Sequence, residues 1–231
     1  MSFQIAIDGP AGAGKSTIAK AVSQKLAYIY LDTGAMYRAM GLYLNSLGID
    51  LSSEQEIEKA VATVNMEIFY KDGIQQVCVN GLNMTGKIRT EEAGMLASRT
   101  SGYGSVRKKL VSLQQKIAEV NDVVMDGRDI GTAVLPNAPL KIFLTASSRI
   151  RAERRYLELK QKGTMESLAE IEEDIIQRDC QDMTRKISPL IQAEDAVLVD
   201  TSSMTIDEAV AMIIQLAEKA GAGSGLQREA Q

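Results

Sequence analysis

Histidine is absent from all 231 residues, and cysteine occurs only twice, at Cys78 and Cys180, neither in a CxxC pair. These absences exclude zinc sites of the Cys/His type and any Ser-His-Asp triad. Two isolated thiols suit a reducing compartment, so a cytoplasmic location is expected. No run of about 18 apolar residues occurs, so no membrane span is expected. The N-terminus enters an apolar strand by Phe3 with no basic flank or cleavage signal, so no export signal is expected. Basic residues are also in deficit, 26 against 30 acidic ones, for a net charge of −4. Nucleic-acid binders carry a basic excess, so no nucleic-acid partner is expected. A small anion held by clustered arginines stays open.

Apolar residues make up 45% of the chain, enough for an ordinary globular core. Phe3 to Ile7 reads as a buried strand, followed by a glycine-rich loop and a helix from about Lys15 to Leu26 with Ile18, Ala19, Val22 and Leu26 on one face. Ala27 to Leu31 reads as a second strand, and Met36, Ala39, Met40 and Tyr43 mark a second helix. Between Met66 and Met84 the pattern changes. Asp72-Gly73 and Asn80-Gly81 separate the short β-rich runs Glu67 to Tyr70, Val77 to Val79 and Leu82 to Met84, which predicts a small antiparallel sheet. A helix over Val106 to Val120 follows, then strands at Val123 to Asp126, Ile142 to Leu144 and Ala196 to Val199. Thr205 and Glu208 form a capping box for a last helix striped by Ile206, Val210, Ile213, Ile214 and Ala217 and ended by Gly221. Residues 222–231 are small and polar and are expected to be disordered. Strands alternating with helices give an α/β class with a mostly parallel sheet covered on both faces.

Gly9-Pro10-Ala11-Gly12-Ala13-Gly14-Lys15-Ser16 fits G-x-x-x-x-G-K-(S/T), between an apolar strand and a helix. Glycines let consecutive N–H groups face phosphate oxygens, and the helix N-terminus adds a positive dipole end. Lys15 is a mobile charge for the β- and γ-phosphates, and the Ser16 hydroxyl is a magnesium ligand. The loop predicts triphosphate binding and leaves the reaction open.

Asp126-Gly127-Arg128-Asp129 directly follows a strand, where parallel sheets line their ligand crevice. Asp126 can hold magnesium or its waters, or simply serve as a turn or capping residue. Arg128 can hold a phosphate. Arg178, Asp182 and Arg185 share one helix face by spacing, and Arg151, Arg154 and Arg155 share another. Solvated charged helices read the same way, so spacing alone does not choose. No Asn-Lys-x-Asp string occurs, which argues against a GTP switch.

From Ile5 to about Ala217 the chain resembles the bacterial cytidylate kinase family. The resemblance rests on Ile7-Asp8-Gly9-Pro10, Gly14-Lys15-Ser16-Thr17, Leu31-Asp32-Thr33-Gly34-Ala35-Met36-Tyr37-Arg38, Ile88-Arg89-Thr90 and Asp126-Gly127-Arg128-Asp129-Ile130-Gly131-Thr132. It continues through Lys141 to Leu144, Arg151 to Arg155, Arg178-Asp179, Asp182, Arg185, Ser188-Pro189-Leu190 and Asp200-Thr201. Cys180-Gln181 departs from the pattern where relatives often carry charges, and leaves Arg178, Asp182 and Arg185 in place.

The resemblance implies a P-loop nucleoside monophosphate kinase fold: a five-stranded parallel sheet flanked by helices, a small antiparallel-sheet insertion that binds the monophosphate, and a short lid. The kinase domain would cover residues 1–220, with the insertion at about 39–97, the lid at about 150–165 and a disordered tail at 221–231. It also implies ATP and CMP or dCMP as substrates, magnesium as cofactor and a monomer. Gly9 to Thr17 would bind ATP, and Ser16 with Asp126 the metal. Ser98, Arg107 and Asp129 would meet cytosine. Thr33, Tyr37, Arg38, Arg128 and Arg185 would hold CMP, mainly at its phosphate, and Arg178 with Asp182 the ribose. Lys15, Arg128, Arg185, Arg154 and Arg155 would act on the transferring group.

Overall fold

The structure is a computed structural model that describes residues 2–161, 163 and 166–223. The chain divides into two compact units, Met1–Tyr30 with Asn121–Gln231, and Leu31–Val120.

The first unit is organised by a five-stranded sheet in the order β2-β6-β1-β7-β8. Its strands are β1 (Gln4–Asp8), β2 (Ile29–Asp32), β6 (Val123–Gly127), β7 (Leu140–Thr145) and β8 (Val197–Asp200). β1 lies parallel between β6 and β7, and β7 lies parallel to β8. This central place explains the unbroken apolar run of β1: Ile5, Ala6 and Ile7 are fully buried, because both faces of the strand are covered. Helix α1 (Lys15–Leu26) puts Ile18, Ala19, Val22 and Leu26 into one cluster with Ala209, Val210, Ile213 and Ala217 of α8 (Ile206–Lys219). Thr205 and Glu208 form the expected capping box, whereas Ile206 stands 53% exposed at the first position of α8, ahead of the turn that meets the cluster.

Two boundaries differ from the sequence reading. The second strand starts at Ile29, because Ala27 takes a left-handed conformation (φ 57°) to close α1, with the Tyr28 N–H bonded to Ser23 O. The expected disordered tail starts too early. Gly221 (φ 94°) and Ala222 donate to Glu218 O and Ala217 O, and Gly223 O accepts from Tyr28 Oη at 2.8 Å. The last carbonyls of α8 need partners, and the following residues supply them. The rest of that expected tail, 224–231, lies outside the described residues.

The second unit begins within β2 and holds α2 (Thr33–Ser46), α3 (Glu54–Ala62), α4 (Glu91–Thr100), α5 (Gly104–Val120) and a three-stranded sheet. That sheet is antiparallel, with β3 (Met66–Lys71) paired to β4 (Ile74–Val79) and β4 to β5 (Leu82–Asn83). Both tight turns fall where expected. Asp72 and Gly73 have φ of 53° and 71°, and Asn80 and Gly81 of 48° and 79°. These are the positive values that two-residue hairpins need to match strand twist. The unit spans the residues expected to form the insertion, about 39–97, and extends beyond them to the end of α5.

Candidate active site

The phosphate loop is built by backbone. β1 ends at Asp8, and at Gly9 (φ 150°) an added Cβ would stand 1.9 Å from Leu144 O, so only glycine lets the loop pass the neighbouring β7. Gly14, left-handed at φ 86°, starts α1 with no side-chain cap and no acid in the first turn. The first N–H groups of α1 are thus left for an anion. Lys15 is buried, and its Nζ donates to Pro10 O at 2.6 Å. Burial, and after it the charge of Arg128, lowers the Lys15 pKa, against the pull of Asp126, Asp8 and Asp182.

Asp126 stands inside β6, not in a turn or cap. Its carboxylate accepts from Ser16 Oγ at 2.7 Å and from Tyr30 Oη at 2.9 Å. Among the described residues no group of three or more acidic or cysteine side chains gathers as a metal cage. A hydroxyl and a carboxylate in contact at the phosphate loop still form a hard-oxygen pair that fits magnesium, which keeps several waters and takes one or two protein ligands.

Past β6 the site is made of side chains. Arg128 Nε donates to Asp182 Oδ2 at 2.8 Å, and Arg185 Nη1 lies 3.8 Å from Asp182 Oδ1. Arg185 Nη2 lies 3.8 Å from Asp129 Oδ1, and Arg185 Nε donates to Ser188 O at 2.5 Å. Asp182 sits in the last turn of α7 (Leu168–Thr184), and Arg185 caps that helix. The structure therefore brings Arg128, Asp129, Asp182 and Arg185 together, and for Asp182 and Arg185 it disfavours the solvated reading. Arg178, a turn earlier on α7, is exposed.

The three arginines of α6 (Ser148–Gln161) separate. Arg151 is buried, donating to Ala146 O and Ala11 O at 2.9 Å each and pairing with Asp179 at 2.6 Å. Arg154 donates to Thr201 O at 2.8 Å, and Arg155 is exposed beside Glu158. The expected lid falls largely on α6, and its residues 162, 164 and 165 lie outside the described residues.

The second unit holds the other expected contacts. Asp32 caps α2 by accepting from the Ala35 N–H at 2.8 Å and pairs with Arg38 at 3.0 Å. Thr33 is buried at the start of α2. Buried Arg107 of α5 lies 5.7 Å from the centre of the Tyr37 ring. Ser98 is exposed on α4.

Three bracing groups carried no role in the sequence reading: Asp8, Tyr30 and the Arg151–Asp179 pair. Only Asp8 left a signal, as a carboxylate closing an otherwise apolar strand.

The model of the cytidylate kinase family matches residues 5–219. A cytidylate kinase of Thermotoga neapolitana is 49% identical over 220 residues, covering 95% of this chain and 98% of its own. One of Lactobacillus johnsonii is 48% identical, covering 94% of each chain. Among solved structures, an uncharacterized protein from Eubacterium ventriosum overlays with a TM-score of 0.53 at 12% identity, covering 94% of this chain and 99% of that one, a likeness of fold alone. A family model spanning nearly the whole sequence, with relatives near half identity along their full lengths, establishes that this chain belongs to the cytidylate kinase family.

Proposed function

We propose that the protein transfers the γ-phosphoryl group of ATP to CMP, and to dCMP, giving CDP or dCDP and ADP. The observation that carries this reading is the pairing of two strand ends. A phosphate loop leaves β1, and a cluster of Arg128, Asp129, Asp182 and Arg185 gathers beyond the adjacent strand β6. Ligands of parallel sheets bind at the carboxyl ends of strands.

Phosphoryl transfer asks for positioning and charge neutralisation more than for proton chemistry. The acceptor phosphate has a second pKa near ~6 and is mostly a dianion at neutral pH, so no general base is required. That fits a chain without histidine. The backbone from Gly9 to Thr17 holds the triphosphate, and Lys15 turns from Pro10 O to the β- and γ-phosphates. Ser16 and Asp126 would hold magnesium, which neutralises charge on the same phosphates. In the first unit Arg128 and Arg185 are assigned to the acceptor phosphate, Asp129 to the cytosine amino group, and Arg178 with Asp182 to the ribose. In the second unit Thr33, Tyr37, Arg38, Ser98 and Arg107 carry the CMP assignments that the family pattern gives them. Residues 39–97 are read as the monophosphate-binding insertion and 150–165 as the lid, with Arg154 and Arg155 assigned to the transferring group. Lid closure excludes water, which would otherwise accept that group. The protein is read as a monomer of the cytoplasm. Among the described residues no helix is long and apolar enough to cross a membrane.

ADP release, coupled to a reporter, tests this with ATP, magnesium and CMP, dCMP, UMP, AMP or shikimate in turn. CMP is expected to give the highest kcat/KM. A higher value with AMP or shikimate overturns the acceptor assignment.

A further inference from the structure

Asp8 closes β1 and is only 5% exposed. A buried carboxylate is costly unless its oxygens find donors. Both do, on consecutive residues of a distant segment: Oδ1 accepts from the Ile130 N–H and Oδ2 from the Gly131 N–H, each at 2.7 Å. The fit is close, since a Cβ on Gly131 would stand 3.4 Å from Asp8 Oδ2 and 3.1 Å from Lys141 Cδ.

Ile130 and Gly131 open the single π-helical turn Ile130–Val134, whose N-cap is Asp129. The first N–H groups of a helical turn lack partners within it, and an aspartate at the N-cap ordinarily supplies one from its own side chain. Here Asp129 makes no such bond, although its backbone carbonyl accepts from the Ala133 N–H at 2.9 Å. Its carboxylate lies 3.8 Å from Arg185 instead. A residue 122 positions earlier in the chain does the capping.

We propose that Asp8 is a positioning residue for acceptor choice: by capping the Ile130–Val134 turn from β1, it keeps the Asp129 carboxylate out of the cap, in the place from which it serves the acceptor base. This rests on the reading of Asp129 as the group that accepts from the cytosine amino group, where uracil presents a carbonyl. Without the Asp8 carboxylate, the two N–H groups need a new acceptor, and Asp129, as the N-cap residue of the turn, is of the type that ordinarily supplies one.

The experiment compares kcat/KM for CMP and UMP in the wild type, Asp8→Asn, Asp129→Ala and the double variant, with ATP binding measured directly. Asn at position 8 keeps the shape but presents at most one acceptor. Asp8→Asn is expected to narrow the CMP-over-UMP ratio about fivefold or more, the low end for a lost base contact. The double variant should be no less selective than Asp129→Ala alone, and ATP affinity should hold. A merely structural role would lower turnover with both acceptors alike and leave the ratio unmoved. If Asp129→Ala narrows the ratio and Asp8→Asn does not, the Asp8 proposal is wrong and the base reading stands. If Asp129→Ala leaves the ratio unchanged, the base reading is wrong and takes the proposal with it. Should Asp8→Asn fail to fold, wild-type NMR decides: Ile130 and Gly131 amide shifts that do not follow the titration of Asp8 overturn the cap.

Discussion

The ends of β1 and β6 are neighbours in the sheet, yet they are built by opposite means. The loop after β1 is made of backbone, with glycine conformations, a helix start without side-chain caps, and one lysine held by a loop carbonyl. The turn after β6 is made of side chains, where two arginines and two aspartates drawn from the segment that follows β6 and from the C-terminal end of α7 hold one another. Asp8 joins the two, standing at the end of one strand and capping the turn beyond the other. A backbone-built site tolerates change at few positions because geometry forbids a side chain. A side-chain-built site degrades in steps as each charge is removed.

The sharpest way to break this contrast is Gly9→Ala. The added Cβ meets a backbone oxygen of the sheet at 1.9 Å, which cannot swing away as a flexible side chain would. A stability loss on the order of 4 kcal/mol or more, or failure to fold, is expected from urea unfolding. A variant as stable as the wild type would mean that the loop is not held against β7.

Lys15→Ala comes next. It should cut kcat by at least ~10²-fold, the scale for a preorganised charge at the transition state. The fold should persist, because burial already disfavours this ammonium. Turnover within tenfold of the wild type in steady-state assays would remove Lys15 from the chemistry.

These two effects could be foreseen to different degrees. The loop was legible because its parts are contiguous, and so were both hairpin turns, whose Asp-Gly and Asn-Gly pairs carry their conformation in the residue types. The alternation of strands and helices read correctly for the same local reason. The cluster was legible only in part. Spacing put Asp182 and Arg185 on one face but left open whether that face was solvated, and only the resemblance chose. Asp8 capping Ile130 and Gly131 was not legible at all, since nothing local pairs residues 122 apart. Arg151 was misleading, because helical spacing grouped it with Arg154 and Arg155 while tertiary packing buried it against Ala11 and Asp179.

The link between the two strand ends has a signature in pH. Burial, with a smaller push from Asp129, raises the Asp8 carboxyl from the ordinary 3.8 to about 6, against its two backbone hydrogen bonds and Lys15. A carboxyl with a raised folded pKa contributes stability that is full below the unfolded pKa and lost as pH rises through the folded one. Between about pH 4 and 6 the folded state retains a proton that the unfolded state releases. The stability of the wild type relative to Asp8→Asn should therefore fall by about 3 kcal/mol between pH 3.5 and pH 7. Urea unfolding of both proteins across that range checks it, and a flat difference would contradict the burial of an ionising Asp8.

The division of labour between the two strand ends is tested most directly by one paired measurement on Asp182→Ala and Arg185→Ala: steady-state kinetics with CMP varied at saturating ATP, alongside calorimetric ATP binding. Asp182→Ala is expected mainly to raise KM for CMP by removing an acceptor for the ribose hydroxyls. Arg185→Ala should also lower kcat, because a charge proposed to hold the acceptor phosphate would also aim it for in-line attack. ATP affinity should stay at the wild-type value in both. Wild-type CMP kinetics in both variants, or loss of ATP binding in both, would contradict the account.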